Sequence, residues 1–353
     1  MIAGAERIIP HSRPTLSDDD AERVARVVRG GQLAQGPEVA GLEHELAQRL
    51  GVSAAAAVSS GSAALELALR ALAVGPGDEV IIPTYVCDAV YQAVTRCGGR
   101  PVLADADPET LGLSAEDAAR RRTPRTRAVI VVHPFGLAVD LADFHRLDIP
   151  LVEDCAQTLG ATLGGRQVGA RGGLAVCSFY ATKLLTTGEG GAIVGPADLV
   201  ARARDTRDYD ERTELTPRFN YKMTDMQAAL GRSQLPRLGV FIARRRALAA
   251  RYRTALARAP RCRVPADCGD RHVYHRFVVA IDKPLDPVLA HLERRGVAAR
   301  RPVFRPIHRA LGLSGYPSAD RLWAQSLSLP CYPSLTDAEA DTVTGALTEA
   351  LAS

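Results

Sequence analysis

Lysine is nearly missing from this chain: Lys183, Lys222 and Lys283 are the three among 44 basic residues. Almost every position that needs only a solvated positive charge is therefore arginine. Arginine stays protonated and cannot attack a carbonyl, whereas burial can neutralise a lysine amine. A lysine kept inside an uncharged segment asks for a chemical role. Lys183 is such a lysine, standing between the apolar Ala175-Val176-Cys177 and the glycine-rich Gly188-Glu189-Gly190-Gly191. The competing reading is a surface lysine beside a hairpin turn. Paired cysteines are missing too. The seven (Cys87, Cys97, Cys155, Cys177, Cys262, Cys268, Cys331) are scattered, odd in number and without a C-x-x-C pair. That favours reduced thiols in the cytoplasm over a disulfide frame or zinc site, so no metal is expected. No run of eighteen apolar residues occurs, and the opening MIAGAERIIPHSRP has no apolar core behind a basic start. Neither a membrane span nor a signal peptide is expected. The net charge of +4 comes without lysine-rich runs or interleaved aromatics, which argues against a nucleic-acid surface. Arg244-Arg245-Arg246 reads as a solvated helix face.

What is present is an ordinary globular composition, with 46% hydrophobic and 24% charged residues over 353 positions. The length suits a large domain over residues 1–240 and a smaller C-terminal α/β domain over 241–353. Two amphipathic helices open the chain, one with Val24, Val27 and Val28, the other with Val39, Leu42, Leu46 and Leu50. Short apolar runs follow at 54–58, 79–83, 101–104, 128–133 and 149–152. They alternate with helical stretches, among them 63–72 and 85–96, and this calls for a mainly parallel sheet covered on both faces. A long helix is expected from Phe219, bent near Pro236 and continuing to Leu256. A strand at 277–281, a helix near 288–295 and a terminal helix capped at Thr336-Asp337 complete the pattern.

Ligands of such sheets collect beyond the carboxyl ends of the strands. There stand His133-Pro134-Phe135-Gly136, Glu153-Asp154-Cys155-Ala156-Gln157 and Ser178-Phe179-Tyr180. Ser59-Ser60-Gly61-Ser62 passes from a strand into a helix and offers backbone N–H groups to an anion, though the same residues are the preferred N-caps. Asp154 likewise reads either as a cap or as a partner for a cation. An anion cradle at Gly61, Ser62 and Ala63, an aspartate at a strand end, and Ser178 and Lys183 around a later strand together fit a phosphate, a protonated ring nitrogen and an aldehyde. Pyridoxal phosphate carries all three.

With SSGSAALELAL, VGPGDEVIIPTY, VEDCAQTLGA, SFYATKLLTTGEGGAIV and FNYKMTDMQAALGRSQL in this order, the chain resembles the DegT/DnrJ/StrS sugar aminotransferases. The resemblance runs from Gly36-Pro37 to the Leu-Pro-Cys-Tyr-Pro-Ser-Leu-Thr motif near the end of the chain. It implies a three-layer fold type I large domain, pyridoxal phosphate as cofactor, and Lys183 as the Schiff-base lysine that also shuttles the proton. It further implies Asp154 at the pyridine nitrogen, Gln157 near the ring hydroxyl, and Ser62, Ala63 and Ser178 at the phosphate. Asn220 would reach the phosphate of a neighbouring subunit, giving a homodimer with shared sites. Three positions depart from the family pattern. Cys87 replaces an aromatic that stacks on the ring, and Leu184 and Lys222 replace a polar residue and an arginine expected near the substrate. If Cys87 lies in a helix, Tyr91 shares its face and Tyr85 does not; the alternative makes Cys87 a packing residue. The implied reaction moves an amino group from glutamate or glutamine to a keto-sugar, nucleotide-linked, in amino-sugar biosynthesis. The rivals are amination of a free keto-cyclitol and a non-catalytic sensor on the same fold. A related dehydratase is disfavoured, because those enzymes lack the lysine. Residues 32–35, 207–218 and the loop bearing His308 are expected to set the substrate.

Overall fold

Apolar runs too short for helices become the strands of one seven-stranded sheet in the computed structural model, which describes residues 8–171 and 173–352. The first seven residues, where the reading of the chain's opening begins, lie outside these. The strands are β1 (Ala54–Val58), β2 (Glu79–Pro83), β3 (Arg100–Ala104), β4 (Thr126–Val132) and β5 (Leu151–Asp154), with β8 (Leu174–Ser178) and β9 (Gly191–Gly195). A separate hairpin pairs β6 (Thr162–Leu163) with β7 (Arg166–Gln167). The order across the sheet is β1-β9-β8-β5-β4-β2-β3. Strands β8, β5, β4, β2 and β3 run parallel, while β9 is antiparallel to both neighbours.

Period-two alternation divides each strand between two cores. Val80, Ile82, Ile130, Val152 and Val176 face the helices Gly61–Ala71 and Asp88–Arg96 through Leu65, Leu69 and Val94. The intervening Ile81, Val129 and Val131 meet Leu141 and Phe144 on the other face. Farther along that face Ala175, Cys177 and Val194 meet Leu42, Leu46 and Ile242. Both faces are thus covered, and the result is the three-layer α/β architecture expected. Truncating a buried leucine such as Leu69 to alanine costs about 2–5 kcal/mol in such a core.

Several boundaries shift for tertiary reasons. The helix expected from Tyr85 begins at Asp88. After Pro83 the Thr84 N–H is still held by the Ala104 carbonyl at 2.9 Å, and the Thr84 hydroxyl meets His308 Nδ1 at 2.9 Å, so the chain stays extended. Strand β5 ends at Asp154 rather than at 152, placing both carboxylates in the ladder. The long helix begins only at Asp225, capped by Thr224, and a 3-10 turn at Leu235–Arg237 separates it from Leu238–Leu256. A second sheet has the order β10-β11-β12, from β10 (Cys262–Arg263), β11 (Phe277–Ile281) and β12 (Ser326–Leu329), all antiparallel. It packs with Tyr252, Leu292 and Leu347. The terminal helix Asp337–Ala352 starts at a capping box, Thr336 N–H donating to Glu339 Oε2 at 2.8 Å and Glu339 N–H to Thr336 Oγ1 at 3.1 Å. Arg245 contradicts the solvated-face reading. It is buried, and its Nη1 donates to the carbonyls of Tyr274 and His275, each at 3.2 Å, and to that of Cys331.

Candidate active site

The carboxyl ends of β4, β5 and β8 lie side by side. Asp154 pairs with Val132 on one side and Val176 on the other, and Ser178 pairs with Gly191. One Asp154 oxygen accepts the Ala156 N–H at 2.9 Å, as a cap would. The other accepts no hydrogen bond from the described residues, so capping leaves half of the carboxylate available. Burial raises the Asp154 pKa, and the Ala156 N–H, Lys183 and His133 pull it back. A buried carboxylate so placed gains a favourable partner if a ring N–H approaches it.

Lys183 follows β8 in a tight turn, its N–H bonded to the Tyr180 carbonyl at 2.9 Å. Leu184 and Leu185 sink into the core and anchor that turn. Leu184 therefore lies below the site rather than against a substrate, contrary to the expectation. The lysine keeps a solvent-accessible edge within dense surroundings. Burial lowers its pKa; Cys87 and Asp154 oppose this, while Arg276 adds to it. These couplings bring Lys183, Cys87, Asp154 and Arg276 into one electrostatic neighbourhood. The downward shift enlarges the neutral fraction that can react with an aldehyde.

The cradle expected at residues 61–63 is partly a cap. Ser60 is the N-cap of the Gly61–Ala71 helix, and its Oγ accepts the Ala63 N–H at 3.1 Å. Ala63 thus has its donor engaged. The N–H groups of Gly61 and Ser62 and the Ser62 hydroxyl have no acceptor among the described residues. Ser178 sits against them: a Cβ on Gly61 would come within 2.8 Å of Ser178 Cβ and 3.0 Å of its Oγ. Gly191 closes the far side, where a Cβ would stand 2.6 Å from the Ser60 carbonyl oxygen. Backbone donors at a helix N-terminus beside a hydroxyl form a surface that fits a phosphate. The residues present fit pyridoxal phosphate in its three demands: donors for the phosphate, a carboxylate with a free oxygen, and a lysine with a lowered pKa.

Cys87 is the residue before the Asp88 helix, not within it, which changes its neighbours. It lines a cavity of about 380 Å³ with Tyr85, Phe135 and Gln157. Tyr91 does not share that cavity, so Tyr85 replaces it as the aromatic beside Cys87. The Tyr85 and Phe135 rings meet edge to face at 6.3 Å. Cys87 keeps an exposed face, yet its dense surroundings raise its pKa, Asp154 adds to this, and Lys183 opposes it. Gln157 Oε1 accepts the Phe135 N–H at 2.8 Å, which leaves the amide NH2 as a donor towards the cavity. Phe135 takes a φ of 56°, unusual for a residue with a Cβ. The sequence offered His133-Pro134-Phe135-Gly136 as a strand end but gave Phe135 no role. His133 and Glu153 lie beneath the site. Glu153 accepts N–H bonds from Gly169 at 2.9 Å and Arg171 at 3.1 Å besides facing His133 at 3.3 Å. Those contacts tie the following loop to β5.

Asn220 is exposed, and its side chain makes no hydrogen bond among the described residues. Its neighbours fix its place: the Ser59 N–H bonds the Tyr221 carbonyl at 2.8 Å, and Lys222 bridges to Val58. Asn220 therefore stands near the end of β1 with its amide exposed. Lys222 pairs with Asp208 at 2.7 Å and with Asp210, so it organises the 207–218 segment. His308 is buried between Thr84 and Asp320, the latter at 3.2 Å, and acts as a strut. From its loop, Phe304 and Arg305 reach the cavities instead.

The sequence profile of the DegT/DnrJ/EryC1/StrS aminotransferase family matches residues 14–348. GDP-perosamine synthase of Caulobacter vibrioides is 36% identical over 330 residues, 88% of this chain and 89% of the relative. The dTDP-3-amino-3,4,6-trideoxy-alpha-D-glucose transaminase of Streptomyces venezuelae is 37% identical over 345 residues, 92% of this chain and 90% of the relative. Spr1654 of Streptococcus pneumoniae, solved in PMP and PLP forms, superposes in the PMP form with a TM-score of 0.92 at 25% identity, over 98% of each chain. The family profile and the two relatives span nearly the whole chain, and the chain therefore belongs to the DegT/DnrJ/EryC1/StrS aminotransferase family and is a pyridoxal-phosphate-dependent aminotransferase.

Proposed function

We propose that this aminotransferase moves an amino group from glutamate or glutamine to the keto group of a nucleotide-linked sugar, in cytoplasmic amino-sugar biosynthesis. The observation that carries the reading is the pairing of Lys183, its pKa lowered by burial, with Asp154, one oxygen of which is free. The nucleotide-linked sugar rests on the names of the two relatives, a GDP-perosamine synthase and a dTDP-amino-sugar transaminase. Bound pyridoxal phosphate supplies an aldehyde and a ring that accepts the electron pair of the substrate carbon. In this reading Gly61, Ser62 and Ser178 hold the phosphate, with Ala63 completing the turn. Asp154 keeps the ring nitrogen protonated and Gln157 donates to the ring hydroxyl. Lys183 Nζ would take the proton from the donor carbon and pass it to the cofactor carbon within the first half reaction, and would run the same transfer in reverse in the second. Cys87 and Tyr85, which line one cavity, would stand beside the ring. Over both halves the ketone gains the amino group and the donor leaves as its keto acid.

We assign the cofactor to a large domain of residues 1–240 and part of the substrate wall to a small domain of residues 241–353. The separate second sheet and its own apolar cluster support that division. We further assign a homodimer in which Asn220 serves the partner's phosphate, since its exposed amide makes no hydrogen bond among the described residues. The test supplies the purified protein with pyridoxal phosphate, glutamate, and in turn GDP- and dTDP-linked keto-sugars and a free keto-cyclitol. Mass spectrometry of the products should reveal an amino sugar still joined to its nucleotide. Amination of the cyclitol alone would move the enzyme to that substrate class. No amination of any ketone, by protein that binds the cofactor and exchanges no amino donor, would leave the sensor reading.

A further inference from the structure

A cavity of about 1010 Å³ opens beside the Tyr180–Lys183 turn, and Arg276, Arg300, Arg301 and Arg305 line it. Only Arg301 has a carboxylate partner among the described residues, Asp286 at 2.7 Å. Glu293 also lines the cavity but is exposed and pairs with none of the four. Arg276 directs Nη1 at the His11 ring, 2.8 Å from Nδ1, and His11 Nε2 meets Ser328 Oγ at 2.9 Å. That partner is uncharged: burial, then Arg276 and Arg300, push the His11 pKa down to about 3. Burial, then Arg245 and Arg300, push Arg276 itself down to about 10. Here a guanidinium is oriented by a neutral ring, beside a second guanidinium, with no anion to offset it. Arg276 is half-buried in crowded surroundings, where a cation without a counter-charge among the described residues is disfavoured, and an oxyanion entering the cavity would offset this.

We infer that Arg276, oriented by His11 and Ser328, receives the α-carboxylate of the amino donor. The inference rests on the reading of the chain as an amino-acid-dependent aminotransferase. Two kinds of oxyanion pass through such a site, the carboxylates of the donor, α and γ in glutamate, and the diphosphate of the sugar nucleotide. Arg276 is close enough to bias Lys183 electrostatically. The donor α-carboxylate is bonded to the carbon whose proton Lys183 removes, whereas the sugar ring stands between the reacting ketone and the diphosphate. Proximity to the lysine therefore favours the α-carboxylate. Arg300 and Arg305 line the same cavity and remain for the second anion.

The experiment compares wild type, Arg276→Gln and Arg276→Lys, each loaded with pyridoxal phosphate. Calorimetry gives the dissociation constants of 2-oxoglutarate, which carries an α- and a γ-carboxylate, and of 2-oxobutyrate, which carries the α-carboxylate alone; as keto acids neither reacts with the resting form. Absorbance follows the glutamate half reaction, and the Michaelis constant of the nucleotide sugar is measured from the aminated form. Arg276→Gln should weaken both keto acids and glutamate by about 30-fold, roughly 2 kcal/mol, and leave the nucleotide-sugar constant within about threefold. Arg276→Lys should recover part of the loss, because charge is kept while the planar fork is not. Unchanged binding of both keto acids in a folded variant overturns the inference, and a loss confined to 2-oxoglutarate overturns it too, assigning Arg276 to the γ-carboxylate. A rise confined to the nucleotide sugar also overturns it and assigns Arg276 to the diphosphate. If Arg276→Gln does not fold, Arg276→Lys with wild-type affinity for 2-oxoglutarate at raised ionic strength overturns it as well. A wild type that reacts with no amino acid removes the underlying reading instead, and is seen before any variant is made.

Discussion

Gly61→Ala tests the phosphate cradle by geometry alone. The new Cβ would stand 2.8 Å from Ser178 Cβ and 3.4 Å from Ser178 Cα, so the side-chain contact must open by about 0.6 Å to reach ordinary van der Waals distance. Gly61 does not occupy the left-handed region, so no backbone strain confuses the result. Forcing one methyl into a packed contact costs about 1–3 kcal/mol. If the separation of helix and strand end is part of the cradle, that cost falls on cofactor binding and predicts a dissociation constant raised about fivefold to 150-fold. The assay is equilibrium release of pyridoxal phosphate followed by absorbance, with thermal unfolding of the apo form recorded in parallel. Ser178→Gly removes the clashing Cβ, so the double variant should bind more tightly than the sum of the single losses allows. Binding of the cofactor within twofold of wild type by Gly61→Ala, with an unchanged melting temperature, would refute the close approach. Equal losses in single and double variants would place the effect elsewhere.

Asp154→Asn should retain the cofactor but lose turnover by about 1000-fold or more, roughly 4 kcal/mol, because an amide cannot keep the ring nitrogen protonated; a loss under tenfold in steady-state kinetics would leave Asp154 as a cap. Mixing Lys183→Ala with Asn220→Ala should restore activity through hybrid sites if Asn220 serves the partner subunit, and no recovery after proven chain exchange would remove the shared site. Glu79 is buried and bonded by Arg100 at 2.6 Å and Arg125 at 2.8 Å, and Arg100 foremost lowers its pKa to about 2 from 4.5. Its stabilisation is therefore complete above the unfolded value of 4.5 and is lost as pH falls through about 2. Glu79→Gln should cost about 2 kcal/mol at pH 7 and flatten the fall in stability below pH 5, as read by urea unfolding; an unaltered pH dependence would contradict this.

The parallel sheet was legible because strands buried on both faces must be written in apolar residues, and 79–83 and 128–132 have no other reading. Strands β10 and β12 were not legible: a two-residue Cys262–Arg263 strand and a Ser-Leu-Ser-Leu segment carry too little pattern, and their pairing with β11 is tertiary. Lys183 and Asp154 could be picked out because rare or costly residue types stood at strand ends. Arg276 could not, since one more arginine in so arginine-rich a chain carries no signal. Its meaning lies in the carboxylates it lacks, which only the fold displays. Tyr85 was misplaced for a related reason. The segment Tyr85 to Arg96 has helical character throughout, but the contacts of Thr84 with Ala104 and His308 hold its start extended.

The two sides of the site are joined through one short stretch of backbone. The Val273 N–H bonds the Gly136 carbonyl at 2.9 Å, and the Arg276 N–H bonds the Phe135 carbonyl at 3.1 Å. Phe135 is in turn held by Gln157 from the end of β5 at 2.8 Å. At Gly136, with a φ of 105°, a Cβ would reach 2.7 Å from the His275 nitrogen, so no larger residue allows the two segments to approach this closely. Arg276 immediately precedes β11, and its backbone is therefore registered to the strand end that carries Asp154 and Gln157. The position of Arg276 in its cavity and those of Asp154 and Gln157 are set by the same turn. A substitution at Gly136 replaces none of these three residues, yet the added Cβ must displace one side relative to the other.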